Sequence, residues 1–178
     1  HRPAPVHVDL RLALARVNTM TEPASPSTTK APSSVLYLCN HNVIRSPMAE
    51  ALTRANFGNT VYTASAGVRA GTPDPFVEVV MDELNINVHN RQPKTLDELD
   101  EGYFDLIVTL SPTAHHVALE MAHVDATEVE YWPSADPTVV QGSREQMLDA
   151  YRDVRDRLLE RVMQRFMTDT TGSWKGTP

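Results

Sequence analysis

Between residues 34 and 166, short apolar runs alternate with stretches in which apolar positions return every three or four residues. Val35–Leu38, Val61–Ser65, Phe104–Leu110 and Thr127–Tyr131 are rich in β-branched and aromatic residues and read as four strands. Met48, Ala51, Leu52 and Ala55 mark one face of a helix from Pro47 to about Asn56, and Phe76, Val80 and Leu84 mark a second helix. A third opens at Pro112 and runs to about Ala122. The longest covers 143–166, where Leu148, Tyr151, Val154, Leu158, Val162 and Phe166 form a stripe that belongs to the core. Ile86–Val88 reads as a short extended piece and Leu96–Leu99 as a single helical turn.

Strands alternating with helices predict an α/β, three-layer domain with a parallel sheet covered on both faces. Right-handed crossovers bring the C-terminal ends of all strands to one edge, where ligands bind in such sheets. The first strand runs into Cys39, and Asp136 lies just past the fourth. Both therefore belong to one rim, although they are far apart in sequence.

The 178 residues suffice for one domain with a proper core. The domain is expected over 34–168, with 169–178 a flexible tail. Residues 1–33 read as a disordered or non-native N-terminal extension, because Thr21–Ser33 is Pro/Ser/Thr-rich linker material. A start at Met20 is expected, with 1–19 upstream of it. Arg11 and Arg16 in a weakly amphipathic segment raise a targeting peptide, against which Asp9 and the shortness of the segment weigh. The net charge of −7 and the absence of a basic stripe exclude nucleic acid as a partner, and no apolar run is long enough for a membrane helix. Cys39 is the one cysteine, so an intrachain disulfide is excluded and a reducing, cytoplasmic setting fits.

The chemistry concentrates in the loop between the first strand and the first helix, Cys39-Asn-His-Asn-Val-Ile-Arg45-Ser46-Pro47. Successive N–H groups in a loop feeding a helix N-terminus form a positively polarised nest for an oxyanion such as phosphate. Asn40, His41, Asn42, Val43 and Ile44 would supply that nest. Arg45 would add two parallel donors, which a lysine cannot. The same field favours the thiolate of Cys39, the nucleophilic form. Ser46 could donate to the sulfur while acting as N-cap before Pro47. Asn42 suits a left-handed turn. Asp136 is placed to protonate a leaving oxygen and later to activate water, with Pro137 fixing the backbone after it. Charge developing on the oxyanion is met by Arg45 and amides, so neither metal nor cofactor is called for.

Val35–Glu50, with its Cys-x5-Arg-Ser core, resembles the signature of the low-molecular-weight protein tyrosine phosphatase superfamily, which includes arsenate reductases built on that fold. Ser65-Ala-Gly67, Ile86–His89 and Asp136-Pro137 match further landmarks in the same order. The resemblance spans about 34–166. It implies a four-stranded parallel sheet in the order 2-1-3-4, Cys39 as nucleophile, Arg45 as phosphate clamp, Ser46 as thiolate stabiliser and Asp136 as general acid. It also implies Asn42, Ser65 and His89 as loop supports.

Two departures bear on substrate. Thr138-Val139-Val140 stands where such phosphatases carry a tyrosine after Asp-Pro, and Val68–Gly71 lacks an aromatic residue. These departures weigh against a phosphotyrosine peptide while leaving a small aryl phosphate able to react, so the expected substrate is a phosphorylated protein or a small aryl phosphate. The alternative activity is arsenate reduction. Lacking further cysteines, the chain would need an external small thiol as partner. A non-catalytic phosphate-binding module is the third reading, against which the joint presence of Cys39, Arg45 and Asp136 argues. His115, His116 and His123 lack the pattern of a metal site. Trp132 reads as a packing anchor.

Overall fold

A computed structural model describes residues 31–167 apart from 101 and 126. The elements follow as β1 (Ser34–Cys39), α1 (Arg45–Phe57), β2 (Tyr62–Gly67), α2 (Pro75–Asp82), β3 (Leu106–Thr109), α3 (Pro112–Asp125), β4 (Glu128–Tyr131) and α4 (Arg144–Phe166). One-turn 3-10 helices lie at Leu96–Glu98 and Pro137–Val139. The strands form one parallel sheet in the order β2-β1-β3-β4, as expected. Residues 1–30 of the expected extension (with the start at Met20), residue 168 and the expected tail over 169–178 fall outside the described residues.

β1 has a neighbour on each side and buries both faces, which is why Val35–Cys39 is a continuous apolar run. Its alternate residues divide between two cores. Val35, Tyr37 and Cys39 join α1, α2 and α4 on one side, with Met48, Leu52, Leu158 and Phe166 among their partners. Leu36 and Leu38 join Ala114, Ala118 and Ala122 of α3 on the other. The buried Tyr37 hydroxyl donates to Thr53 Oγ1 across 2.6 Å, since that hydroxyl already donates to the Ala49 carbonyl. Trp132 is buried beside Tyr37, as the anchor expected of it, with ring centroids 5.9 Å apart.

Helix starts follow their caps. Asp74 accepts from Phe76 N before α2, and Ser143 forms a capping box with Gln146 before α4. On α4, the stripe from Leu148 to Phe166 is buried, and it carries one cation inward. That cation is Arg155, which donates to the Val80 carbonyl and to Glu83, each across 2.7 Å, holding the end of α2.

Two local expectations are corrected. α1 begins at Arg45 rather than Pro47, with Ile44 at the N-cap and no side-chain cap. Ser46 cannot cap, because its hydroxyl lies inside the first turn and is engaged with Cys39. Ile86–Val88 adds no strand to the sheet; Ile86 N instead closes a turn onto the Met81 carbonyl.

Candidate active site

The five residues between Cys39 and Arg45 wrap the C-terminal end of β1 into the first turn of α1. The reversal passes through Asn42, buried with φ +56°, a conformation that asparagine tolerates better than most residues. Turning there aims the Asn42 N–H back at Cys39 Sγ, 3.2 Å away, and Ser46 Oγ lies 2.9 Å from the same sulfur. The thiol is 2 % exposed at the base of the loop.

The Asn42 side chain uses its full bonding capacity. Nδ2 donates to Ser46 Oγ at 2.8 Å and Ser65 Oγ at 2.9 Å. Oδ1 accepts from Arg91 Nη2 at 2.6 Å and the Lys94 N–H at 3.0 Å. Arg91 Nη1 also donates to the Asn42 carbonyl, and Nη2 to Ser65 Oγ. Ser65 in turn donates to the buried carboxylate of Glu50 at 2.6 Å. At the loop's other edge, Ser111 Oγ donates to Asn40 Oδ1 at 2.6 Å.

β2 runs close beside the loop. The Val68 and Arg69 N–H groups donate to the carbonyls of Cys39 and Asn40. A Cβ on Gly67 would lie 2.7 Å from Asn42 N and from the His41 carbonyl carbon, so only glycine permits this approach.

Cys39, His41, Val43, Ile44, Arg45, Asp74, Asp136 and Thr138 line a single cleft of ≈ 480 Å³ at the C-terminal edge of the sheet. Arg45 Nη1 donates to the Ser134 carbonyl at 3.1 Å. Asp136 accepts from the Thr138 N–H at 2.9 Å and its hydroxyl at 2.6 Å, capping the Pro137–Val139 turn. Burial raises the affinity of Asp136 for a proton, but the two Thr138 bonds and the charges of Arg45 and His41 outweigh it and lower its pKa.

Sequence expectation and structure differ at the loop supports. His89 is not one of them: its ring pairs with Glu78 and Asp82, each at 3.1 Å, on the surface. Arg91, two residues on, occupies the supporting place. Asn40 turns its side chain to Ser111, whereas Val43 and Ile44 face the cleft and His41 is exposed at its rim. Arg91, Glu50 and Ser111 were not anticipated. Glu50 had one legible signal, a carboxylate one turn after Ser46 on a helix otherwise apolar around it. His115 stacks on Tyr131 and bonds Thr109, and His116 pairs with Glu120. The His123 side chain lies outside the described residues.

The family model for low molecular weight phosphotyrosine protein phosphatase matches residues 34–172. The chain belongs to this family. Among its relatives, an arsenate reductase of Bacillus subtilis is 29% identical over 131 residues, 73% of this chain and 92% of the relative. One of Halalkalibacterium halodurans is 30% identical over 128 residues, 72% and 91% of the two chains. A low molecular weight protein tyrosine phosphatase from T. tengcongensis has the same fold, with a TM-score of 0.61 at 24% identity, covering 72% of this chain and 94% of its own. An arsenate reductase in its oxidized state superposes with a TM-score of 0.63 at 22% identity, covering 75% and 96%. Members of this phosphatase family are enzymes, and the strand order found here is theirs.

Proposed function

We propose that this chain is a phosphomonoester hydrolase that works through a cysteinyl-phosphate, with Cys39 as nucleophile, Arg45 as oxyanion clamp and Asp136 as general acid. The observation that carries the reading is one cleft holding a doubly hydrogen-bonded thiol at its base and both Arg45 and Asp136 in its lining. The Cys39 thiolate attacks phosphorus in line, and the ester P–O bond breaks. The departing oxygen takes the proton of Asp136. Water then attacks the phosphocysteine and loses a proton to the same carboxylate. The P–S bond breaks, and thiolate and inorganic phosphate are released. Loop amides of Asn40–Ile44 and the Arg45 guanidinium would meet the charge on the equatorial oxygens, so these steps call on no metal.

A phosphorylated protein or a small aryl phosphate is the substrate class we propose. Val139 and Val140 are exposed beyond Asp136, so the residues that follow Asp-Pro offer aliphatic rather than aromatic surface. A reducing compartment such as the cytoplasm suits an enzyme whose nucleophile must remain a free thiolate. Among the described residues no helix is long and apolar enough to cross a membrane.

The names of the relatives favour a second reading, arsenate reduction. Over the matched region Cys39 is the sole cysteine, so both electrons would come from external thiols. The thiolate would displace an oxygen on As(V), and one thiol would attack Sγ and release As(III). A second thiol would then reduce the mixed disulfide.

Hydrolysis of p-nitrophenyl phosphate by wild type, Cys39→Ser and Asp136→Ala, with chelator present, separates the readings. Chelator-resistant turnover that disappears in Cys39→Ser and falls sharply in Asp136→Ala is the expected result. A folded wild type without turnover, but with arsenate-dependent consumption of a small thiol, would replace it with the reductase.

A further inference from the structure

Arg91 stands behind the oxyanion loop rather than in the cleft. It lines a separate hollow of ≈ 500 Å³ with Pro47, Glu50, Arg54, Val88 and His89, and its side chain is 21% exposed there. Nothing in the hydrolysis scheme uses it. Yet of the two hydrogen bonds at the Cys39 sulfur, the backbone N–H of Asn42 can only donate, whereas the direction of the Ser46 bond depends on what faces the Asn42 carboxamide.

The two ends of that carboxamide are distinguishable. Oδ1 meets two groups that only donate, Arg91 Nη2 and the Lys94 N–H. A flipped amide would set its NH2 against both, so Nδ2 must face the serines. Ser46 Oγ therefore accepts from Nδ2, and its own proton is left for the sulfur at 2.9 Å, the competing Ala66 carbonyl being at 3.5 Å. A Ser46 hydroxyl that donates to sulfur favours thiolate over thiol. Ser65 obeys the same logic: it accepts from Asn42 and Arg91 and so donates to Glu50. Glu50 is itself buried close behind the loop, paired with Arg54 at 2.8 Å and faced by Arg91 at 3.5 Å.

We infer that Arg91 is a positioning residue that orients the hydrogen-bond relay Asn42–Ser46–Cys39 and holds the nucleophile as a thiolate. The inference rests on the hydrolase reading for its kinetic consequence. The state of the thiol can be followed without it.

The test is the pH dependence of Cys39 alkylation by iodoacetate in wild type, Arg91→Ala and Arg91→Lys, alongside kcat and KM for p-nitrophenyl phosphate. In Arg91→Ala alkylation at neutral pH slows several-fold, because less of the sulfur is held as the reactive thiolate. kcat falls about 10- to 100-fold while KM changes less than about threefold. Arg91→Lys, with a point charge in place of a fork, falls between. The rear hollow admits free guanidinium, so guanidinium chloride at about 5 mM raises kcat of Arg91→Ala at least about threefold and leaves wild type unchanged. A folded Arg91→Ala whose alkylation profile superimposes on wild type overturns the inference, as does failure of rescue. If Arg91→Ala does not fold, Arg91→Lys decides: a wild-type profile and kcat overturn it. A wild type without phosphatase turnover would refute the hydrolase reading while the alkylation profiles still tested this one.

Discussion

Arg45 Nη1 donates to the Ser134 carbonyl across 3.1 Å, joining the first turn of α1 to the loop that leaves β4. The residue proposed as oxyanion clamp is thus also a tether for the segment that carries Asp136. A guanidinium can hold that carbonyl with one nitrogen and present others to a phosphate, whereas an ammonium cannot span both. Arg45→Lys is expected to lose at least about 100-fold in kcat/KM, on the order of 2.7 kcal/mol of transition-state stabilisation. Steady-state kinetics with p-nitrophenyl phosphate, with inhibition by inorganic phosphate as the binding readout, measures it. A loss below fivefold would contradict the clamp.

As the proposed general acid, Asp136 would carry a proton at the moment the leaving group departs, yet Thr138, Arg45 and His41 favour its charged form in the free protein. A bound phosphate dianion acts oppositely and returns proton affinity to the carboxylate. Turnover should therefore fall as pH rises through the acid range of the complex, and Asp136→Asn should flatten that limb. The deficit of Asp136→Ala should be larger for phenyl phosphate than for p-nitrophenyl phosphate, whose leaving group needs a proton less. Profiles of kcat from about pH 4.5 to 8 test both. Equal deficits on the two esters would remove Asp136 as the acid.

The same depressed pKa has a stability consequence with a definite sign. Asp136 caps the Pro137–Val139 turn as a carboxylate, so its contribution is present above the usual aspartate value near 3.9 and fades as pH falls through the lower folded value. Thermal melts of wild type should lose the excess over Asp136→Ala in that acid window and keep it at neutrality.

Gly67→Ala places a methyl 2.6–2.7 Å from backbone atoms of Arg69, His41 and Asn42. Backbone on both sides has little room to yield, so the substitution should cost about 1–3 kcal/mol and displace the loop. Calorimetry with phosphate would show both a lower Tm and weaker anion binding. Unchanged phosphate affinity would mean that the loop tolerates the displacement.

Arg155 is 7% exposed and bonds the Val80 carbonyl and Glu83, whose carboxyl is lowered to about 2 by its bonds first to Arg152 and then to Arg155. Removing it leaves a buried carbonyl without that donor. Arg155→Ala is expected to destabilise by about 2–4 kcal/mol without changing KM. Urea unfolding and steady-state kinetics on the same preparation would separate the two effects.

The strands, the longer helices and the loop from Cys39 to Arg45 were legible because each rests on a local signal. Val35–Leu38 is an apolar run, the stripe from Leu148 to Phe166 keeps a helical period, and the placement of Asp136 beside Cys39 follows from the handedness of the crossovers. Arg91 carried no such signal. It lies in the irregular segment between α2 and β3, where position depends on tertiary contacts rather than periodicity, and a landmark two residues earlier drew attention to His89 instead. Ser46 was legible as a bonding partner of sulfur but misread as a cap, because the same hydroxyl suits either role and only the path of the loop decides.

Val139, 73% exposed, follows Thr138, which lines the cleft. The partners of the thiol sit on β1, α1 and β2, while Val139 ends the turn that Asp136 caps on the β4 exit loop. Substrate preference in such an arrangement can drift, or be bred, without touching the partners of the thiol: an aromatic side chain grafted at 139 changes what is held and leaves the nucleophile's own bonds in place.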